Sequence, residues 1–160
     1  MLDLLGTGLL RTAAWALPTV AKRIYDEEKL TSKIKIRVRS EGDGIVINCG
    51  EMPYVHIWLR ITNLSPIDIE IDRIFGEIYC GSKLANFQDL NRREVKTSTE
   101  SEAYINVSLT SEHSAFLRRN RQNNFQTTIS VSAYIYSTLH NYQLPVRELQ
   151  VRNPEFQNCG

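Results

Sequence analysis

The sequence predicts a mainly β domain, an immunoglobulin-like antiparallel β-sandwich of seven or eight strands with an apolar N-terminal helix and one short helix. Three observations carry this. Apolar and polar residues alternate through 55–61 and again through 127–135, the period of strands with one buried face. Turn-forming clusters such as Asn63-Leu64-Ser65-Pro66 and Gly81-Ser82 separate the runs. Beyond residue 30 only 115–119 reads as helix. Many short strands with few helices pack as two sheets.

At 160 residues the chain is one domain by size with an appendage. It divides into an apolar helix and charged connector over 1–30, a sandwich over 31–152 and a polar tail over 153–160, expected to fray. Lys plus Arg is 19 against 18 for Asp plus Glu. A dedicated nucleic-acid binder needs a surplus of cations, so this balance argues against one. Cys49, Cys80 and Cys159 lie far apart with no CxxC, which leaves no disulfide framework or zinc signature. Reduced, buried thiols in a cytosolic domain are expected, with Cys49–Cys80 the one bridge considered.

In the first unit, Leu, Ala, Trp and Val dominate 4–21, and Arg11 is the single charge in that window. On a helix Asp3, Thr7 and Arg11 form one narrow polar stripe. Pro18 kinks or ends the helix. A cleaved leader wants a cation before its apolar run, and this chain opens with Asp3. A membrane span would carry Arg11 near its centre, at roughly 2.5–3.5 kcal/mol. Docking or assembly is therefore the first expectation, membrane contact the second and a leader the third. Leu5, Leu9, Trp15 and Leu17 are the residues expected to make the contact.

Residues 26–29 read as a charged connector. Through 33–39, Ile34, Ile36 and Val38 point inward and Lys33, Lys35, Arg37 and Arg39 outward. Glu41-Gly42-Asp43-Gly44 supplies hairpin-turn residues, after which 44–48 returns. These four cations, with Arg118, Arg119 and Arg121 of a basic loop, are the candidates for an anionic partner. Against that, lysines deter pairing on an exposed strand, and no aromatic residue interleaves with the cations in sequence.

The central unit places Val55, Ile57, Leu59 and Ile61 inward. After the turn, Ile67, Ile69 and Ile71 face in, and a separate strand covers 74–80. Leu84 and Phe87 anchor an irregular piece, and 91–94 reads as polar loop. A strand over 103–109 follows. Thr110 and its neighbours carry helix N-cap chemistry. The last strand, 144–151, contains Pro145 and so belongs at an edge. Alternation also turns Trp58, Phe75, Tyr79, Tyr104, Tyr134 and Tyr136 away from the core.

Leu59-Arg60-Ile61-Thr62-Asn63, then Pro66-Ile67-Asp68-Ile69-Glu70-Ile71, then Ile78-Tyr79-Cys80-Gly81-Ser82-Lys83-Leu84 resemble the water-stress-and-hypersensitive-response domain of type-2 late embryogenesis abundant proteins. The likeness spans about 55–150 as a strand pattern. Here two residues separate Asn63 from Pro66, where the family has them adjacent. The resemblance implies an immunoglobulin-like sandwich without enzymatic activity, often behind an apolar N-terminal segment, and it transfers no site residues.

His56, His113 and His140 form no i, i+4 pair. No Gly-rich loop joins a strand to a helix, and no local pattern marks a nucleophile. No catalytic residue, metal or cofactor is predicted, and the chain is expected not to be an enzyme. The expected function is a non-catalytic interaction module, cytoplasmic or membrane-associated, assembled into an oligomer or attached to a membrane through its N-terminal helix. A stress-protective or lipid-binding domain is the first alternative. A nucleic-acid-binding accessory protein is the second.

Overall fold

A computed structural model describes residues 22–40, 44–120 and 126–160. Leu5, Leu9, Trp15, Leu17 and Arg121 lie outside them. Two sheets face each other across one apolar core.

The chain enters through α1 (Glu27–Lys33). Asp26 caps it, accepting from Lys29 N at 2.9 Å, so the expected charged connector is a helix start. Leu30 of α1 is buried and closes one end of the core. Lys33 ends this helix rather than starting a strand.

Sheet A is built on β3 (Tyr54–Asn63). β7 (Thr99–Ser108) runs along one side, from Tyr54↔Ser108 to Asn63↔Thr99. The other side is shared by β1 (Ile34–Val38), opposite 59–63, and β2 (Ile45–Asn48), opposite 54–57. Both are antiparallel to β3, so they run the same way. The expected hairpin at 41–44 is therefore not formed. β1 and β2 lie end to end along the same side of β3. Their facing ends meet at Trp58, where Arg39 N donates to Trp58 O and Trp58 N donates to Gly44 O, each at 2.9 Å. This close approach requires a glycine, because a Cβ on Gly44 would stand 2.3 Å from Arg39 O. Alternation could not separate the two topologies, since both put the same side chains inward.

Sheet B is built on β4 (Ile69–Cys80) and β8 (Thr127–Ser137), paired from Ile69↔Ser137 to Cys80↔Thr127. β5 (Ser82–Asp89) and β6 (Arg93–Val95) share the far side of β4. β9 (Asn141–Gln143) and β10 (Arg147–Val151) share the far side of β8, one on each side of Pro145. The two strands expected over 67–80 are one. A register shift between Ile71 and Arg73 changes the buried parity from Ile69 and Ile71 to Ile74 and Ile78, as a β-bulge does. The piece expected to be irregular around Leu84 and Phe87 is the strand β5, and the expected polar loop over 91–94 ends at Arg92, where β6 follows; their buried positions, Leu84, Phe87, Asp89 and Val95, do not alternate simply.

The core is as alternation predicts. Ile57, Leu59, Ile69, Ile105, Val107, Ile129 and Val131 are all buried. Each such aliphatic side chain contributes about 1.5–3 kcal/mol through burial. Asn63 is also fully buried, and its side chain is satisfied within the fold. Its amide donates to Ile67 O and Val95 O at 2.9 Å, and its Oδ1 accepts from Ser65 N at 2.9 Å and Ser65 Oγ at 2.6 Å. The Asn-Leu-Ser-Pro turn thus knits β3, β4 and β6 together. Arg147 joins the sheets, donating to Ile34 O at 2.7 Å and Thr31 O at 3.0 Å.

The tail is not frayed. β11 (Glu155–Gln157) adds a parallel strand to the outer side of β2, with Phe156 opposite Ile47. Cys49 and Cys159 form a disulfide with Cα atoms 5.0 Å apart, and Cys80 is a buried free thiol. This corrects the expectation of three reduced cysteines and replaces Cys49–Cys80 as the pair. The reason is topological, since β11 returns the end of the chain to the end of β2. α2 (Ser111–Asn120) follows β7 and starts four residues earlier than expected. Thr110 Oγ1 accepts from His113 N at 3.2 Å at its start.

Candidate interaction face

The outer face of sheet A brings together residues that lie far apart in sequence. Along β3, Tyr54, His56, Trp58 and Arg60 alternate with the buried apolar positions. The register sets Trp58 beside Tyr104, and Arg60 between Arg37 and Glu102. Tyr54 and His56 stack with centroids 4.2 Å apart. His56 meets Trp58 at 5.7 Å and Tyr104 at 5.2 Å, and Trp58 meets Tyr104 at 4.9 Å. These are attractive offset and edge contacts. Arg39 lies over the Trp58 ring at 5.6 Å, a cation–π contact. Burial among these rings lowers the pKa of His56 below 6.5, because desolvation disfavours the imidazolium.

Beside the rings lies a two-signed charge network. Arg37 pairs with Glu100 at 2.9 Å and Arg39 with Glu102 at 3.6 Å. Arg60 reaches Glu100 at 3.6 Å and Glu102 at 3.3 Å. Thr62 Oγ1 donates to Glu100 Oε1 at 2.8 Å. Such half-exposed pairs each contribute about 1 kcal/mol or less, but together they fix the side chains around the aromatic cluster.

Lys35 and Arg37 are exposed on β1, whereas Arg39 has left the strand to lie on Trp58. Arg118 and Arg119 are not part of this surface. α2 follows Ser108, which pairs with Tyr54, whereas β1 lies beside the opposite half of β3. At the rise of a strand the two groups stand on the order of 20 Å apart. Arg118 is committed to the carbonyl of Cys49, which also accepts from Ser114 Oγ at 2.8 Å. Arg119 Nε donates to Ala115 O at 3.2 Å.

Sequence reasoning missed Glu100 and Glu102. They belong to β7, which begins at Thr99 rather than Ala103. Residues 99–102 contain no apolar side chain, so hydrophobic period could not reveal a strand there. It also missed the aromatic neighbours of the cations, which lie across a strand pair and not between them in sequence. The three histidines stand apart. His56 is in this cluster, His113 Nδ1 lies 3.0 Å from Thr110 Oγ1, and His140 Nδ1 lies 4.0 Å from Glu27.

The outer face of sheet B is the second exposed surface. Phe75 lies 5.4 Å from Tyr134, Arg73 covers Tyr134 at 5.3 Å, and Arg92 covers Tyr136 at 6.0 Å. Both arginines hold the buried carboxylate of Asp72, at 3.0 and 2.9 Å. A groove of about 790 Å³ runs beside Phe75, Glu77, Asn86, Gln88 and Ser130. Among the described residues no helix is long and apolar enough to cross a membrane.

No protein-family model matches the chain, and no curated protein matches it in sequence. A structural-genomics target solved by X-ray crystallography is similar with a TM-score of 0.51 at 11% identity, over 78% of this chain and 90% of that one. A candidate ApaA protein from Bordetella pertussis is similar with a TM-score of 0.45 at 12% identity, over 76% and 90%. A candidate late embryogenesis abundant protein covers 96% of this chain and 91% of its own, with a TM-score of 0.41 and 10% identity. The first of the three shares its fold with this chain, and at these identities no residue's role passes from any of them.

Proposed function

We infer that the chain is a non-catalytic interaction module, immunoglobulin-like in arrangement, that binds a protein partner through the outer face of sheet A. The observation that carries this reading is the half-exposed cluster of Tyr54, His56, Trp58 and Tyr104 rimmed by Arg37, Arg39 and Arg60. Trp, Tyr and Arg dominate the binding energy of protein interfaces. The rim carries paired charges of both signs, which suits a partner that presents both signs in return. A nucleic acid presents one sign, and Glu100 and Glu102 would face its phosphates. Arg39 on Trp58 is the feature that favours that second reading, since cations beside stacked rings suit single strands.

The apolar sequence over 4–21, with Leu5, Leu9, Trp15 and Leu17, supplies self-association or attachment to a membrane surface. The Cys49–Cys159 bridge supports an oxidising compartment over the reducing cytosol.

The test pairs two measurements. Trp58→Ala with Tyr104→Ala should abolish capture of the partner while leaving the fold intact. Retained capture contradicts the binding face. Membrane fractionation and light-scattering mass should show the full chain membrane-bound or oligomeric, and a variant lacking residues 1–25 monomeric. A full-length chain that runs as a monodisperse monomer without detergent contradicts the attachment role.

A further inference from the structure

The last strand is held to sheet A by unequal means at its two ends. β11 has three residues, all half-buried, paired with β2. At one end residues 152–154 carry the chain across from β10 of sheet B. At the other end the hold is the Cys49–Cys159 bond, with the Cys49 N–H donating to Gln157 O at 2.9 Å and a weak exposed contact from Asn158 Nδ2 to Asn48 Oδ1 at 3.3 Å.

The two cysteines are anchored differently apart from that bond. Cys49 directly follows β2, and its carbonyl accepts from Ser114 Oγ and from Arg118 of α2. These contacts do not involve sulfur, so Cys49 stays in place whether or not it is bridged. Cys159 is carried by β11 alone, and three ladder positions with one half-buried Phe156 are little to offset the entropy of ordering 152–160.

We propose that the Cys49–Cys159 disulfide is a redox latch on the edge of sheet A, whose reduction leaves Cys49 anchored, releases β11 and bares the outer edge of β2. The step is thiol–disulfide exchange with a dithiol reductant. One thiolate of the reductant bonds to a protein sulfur as the S–S bond breaks, and the other protein sulfur leaves as a thiolate and takes up a proton. The reductant's second thiolate then displaces the first protein sulfur. The protein gains two electrons and two protons, and the dithiol becomes a cyclic disulfide. Both sulfurs are on buried residues, so attack follows opening of the tail, which makes the latch slow and not merely labile. With β11 gone, the backbone N–H and C=O groups of β2 on that side lose their partners. Such an edge accepts an added strand. The latch does not depend on the proposed binding face.

Hydrogen exchange on the full chain, before and after reduction by dithiothreitol, tests this, with thiol alkylation and mass confirming complete reduction. The reporter is the Cys49 amide, which donates to Gln157 O at 2.9 Å. Exchange at Cys49 and over 155–159 should rise on the order of tenfold or more while β3, β4 and β8 stay protected. Cys159→Ser should reproduce that pattern without reductant. Unchanged protection at Cys49 in the fully reduced wild-type chain overturns the proposal. So does a loss of protection throughout β3, β4 and β8, which would make the bond a staple of the whole domain.

Discussion

The two outer faces of the sandwich use the same residue types in opposite arrangements. On sheet A four rings touch one another, from Tyr54 through His56 and Trp58 to Tyr104, and the charges pair beside them. On sheet B arginines cover Tyr134 and Tyr136 and then turn to one buried carboxylate, Asp72. Face B thus uses its cations to hold its own strand β4 at the bulge. Face A keeps a continuous aromatic surface with only shallow ion pairs at its rim. The lesson is that an aromatic-rich sheet face is a binding candidate when its rings are contiguous and its charges are replaceable.

The comparison concerns the outer faces, so the inner faces should behave alike. Leu59→Ala in sheet A and Ile129→Ala in sheet B, both fully buried, should each destabilise by about 2–5 kcal/mol in denaturant unfolding. A large asymmetry between them would mean that one sheet is not part of the common core.

The outer faces should then separate. Asp72→Ala removes a buried carboxylate bonded to two arginines and should cost about 1–3 kcal/mol. Glu102→Ala, on face A, should cost less than about 1 kcal/mol, because Glu102 is half-exposed and Arg60 keeps Glu100 as a partner. Equal losses would erase the distinction between a self-satisfied face and a replaceable rim.

That distinction was only partly legible in the sequence. Strand faces were, because Val55, Ile57, Leu59 and Ile61 are held to one side by the pleat whatever their neighbours. Which strands adjoin was not. Trp58 and Tyr104 meet only because β3 and β7 pair in one register, and an alternating pattern carries no information on pairing partners. The parallel course of β1 and β2 and the bulge at Asp72 also escaped, since each preserves or merely shifts the buried parity. The strand made by β11 has too few apolar residues to announce itself, with Phe156 alone between Glu155 and Gln157.

The smallest effect expected is on pH. Burial lowers the pKa of His56 below 6.5, so the unfolded chain takes up this proton more readily than the folded one. The stability contributed by neutral His56 is present above pH 6.5 and is lost as pH falls through the folded value. Unfolding measured between about pH 7.5 and about pH 5 should show a shallow decline that His56→Gln reduces. A decline unchanged in that variant would place the titrating group elsewhere.

The measurement that bears most directly on the proposed binding face is site-specific photo-crosslinking. Tyr104 of face A and Tyr134 of face B are comparably accessible, at 48% and 38% exposure, so a difference between them reports the face and not mere access. With a benzophenone side chain placed at each position in turn in the full chain, position 104 should give a discrete protein crosslink that Trp58→Ala weakens, and position 134 should give none. Crosslinking from position 134 and not from position 104 would contradict the assignment of sheet A as the binding face.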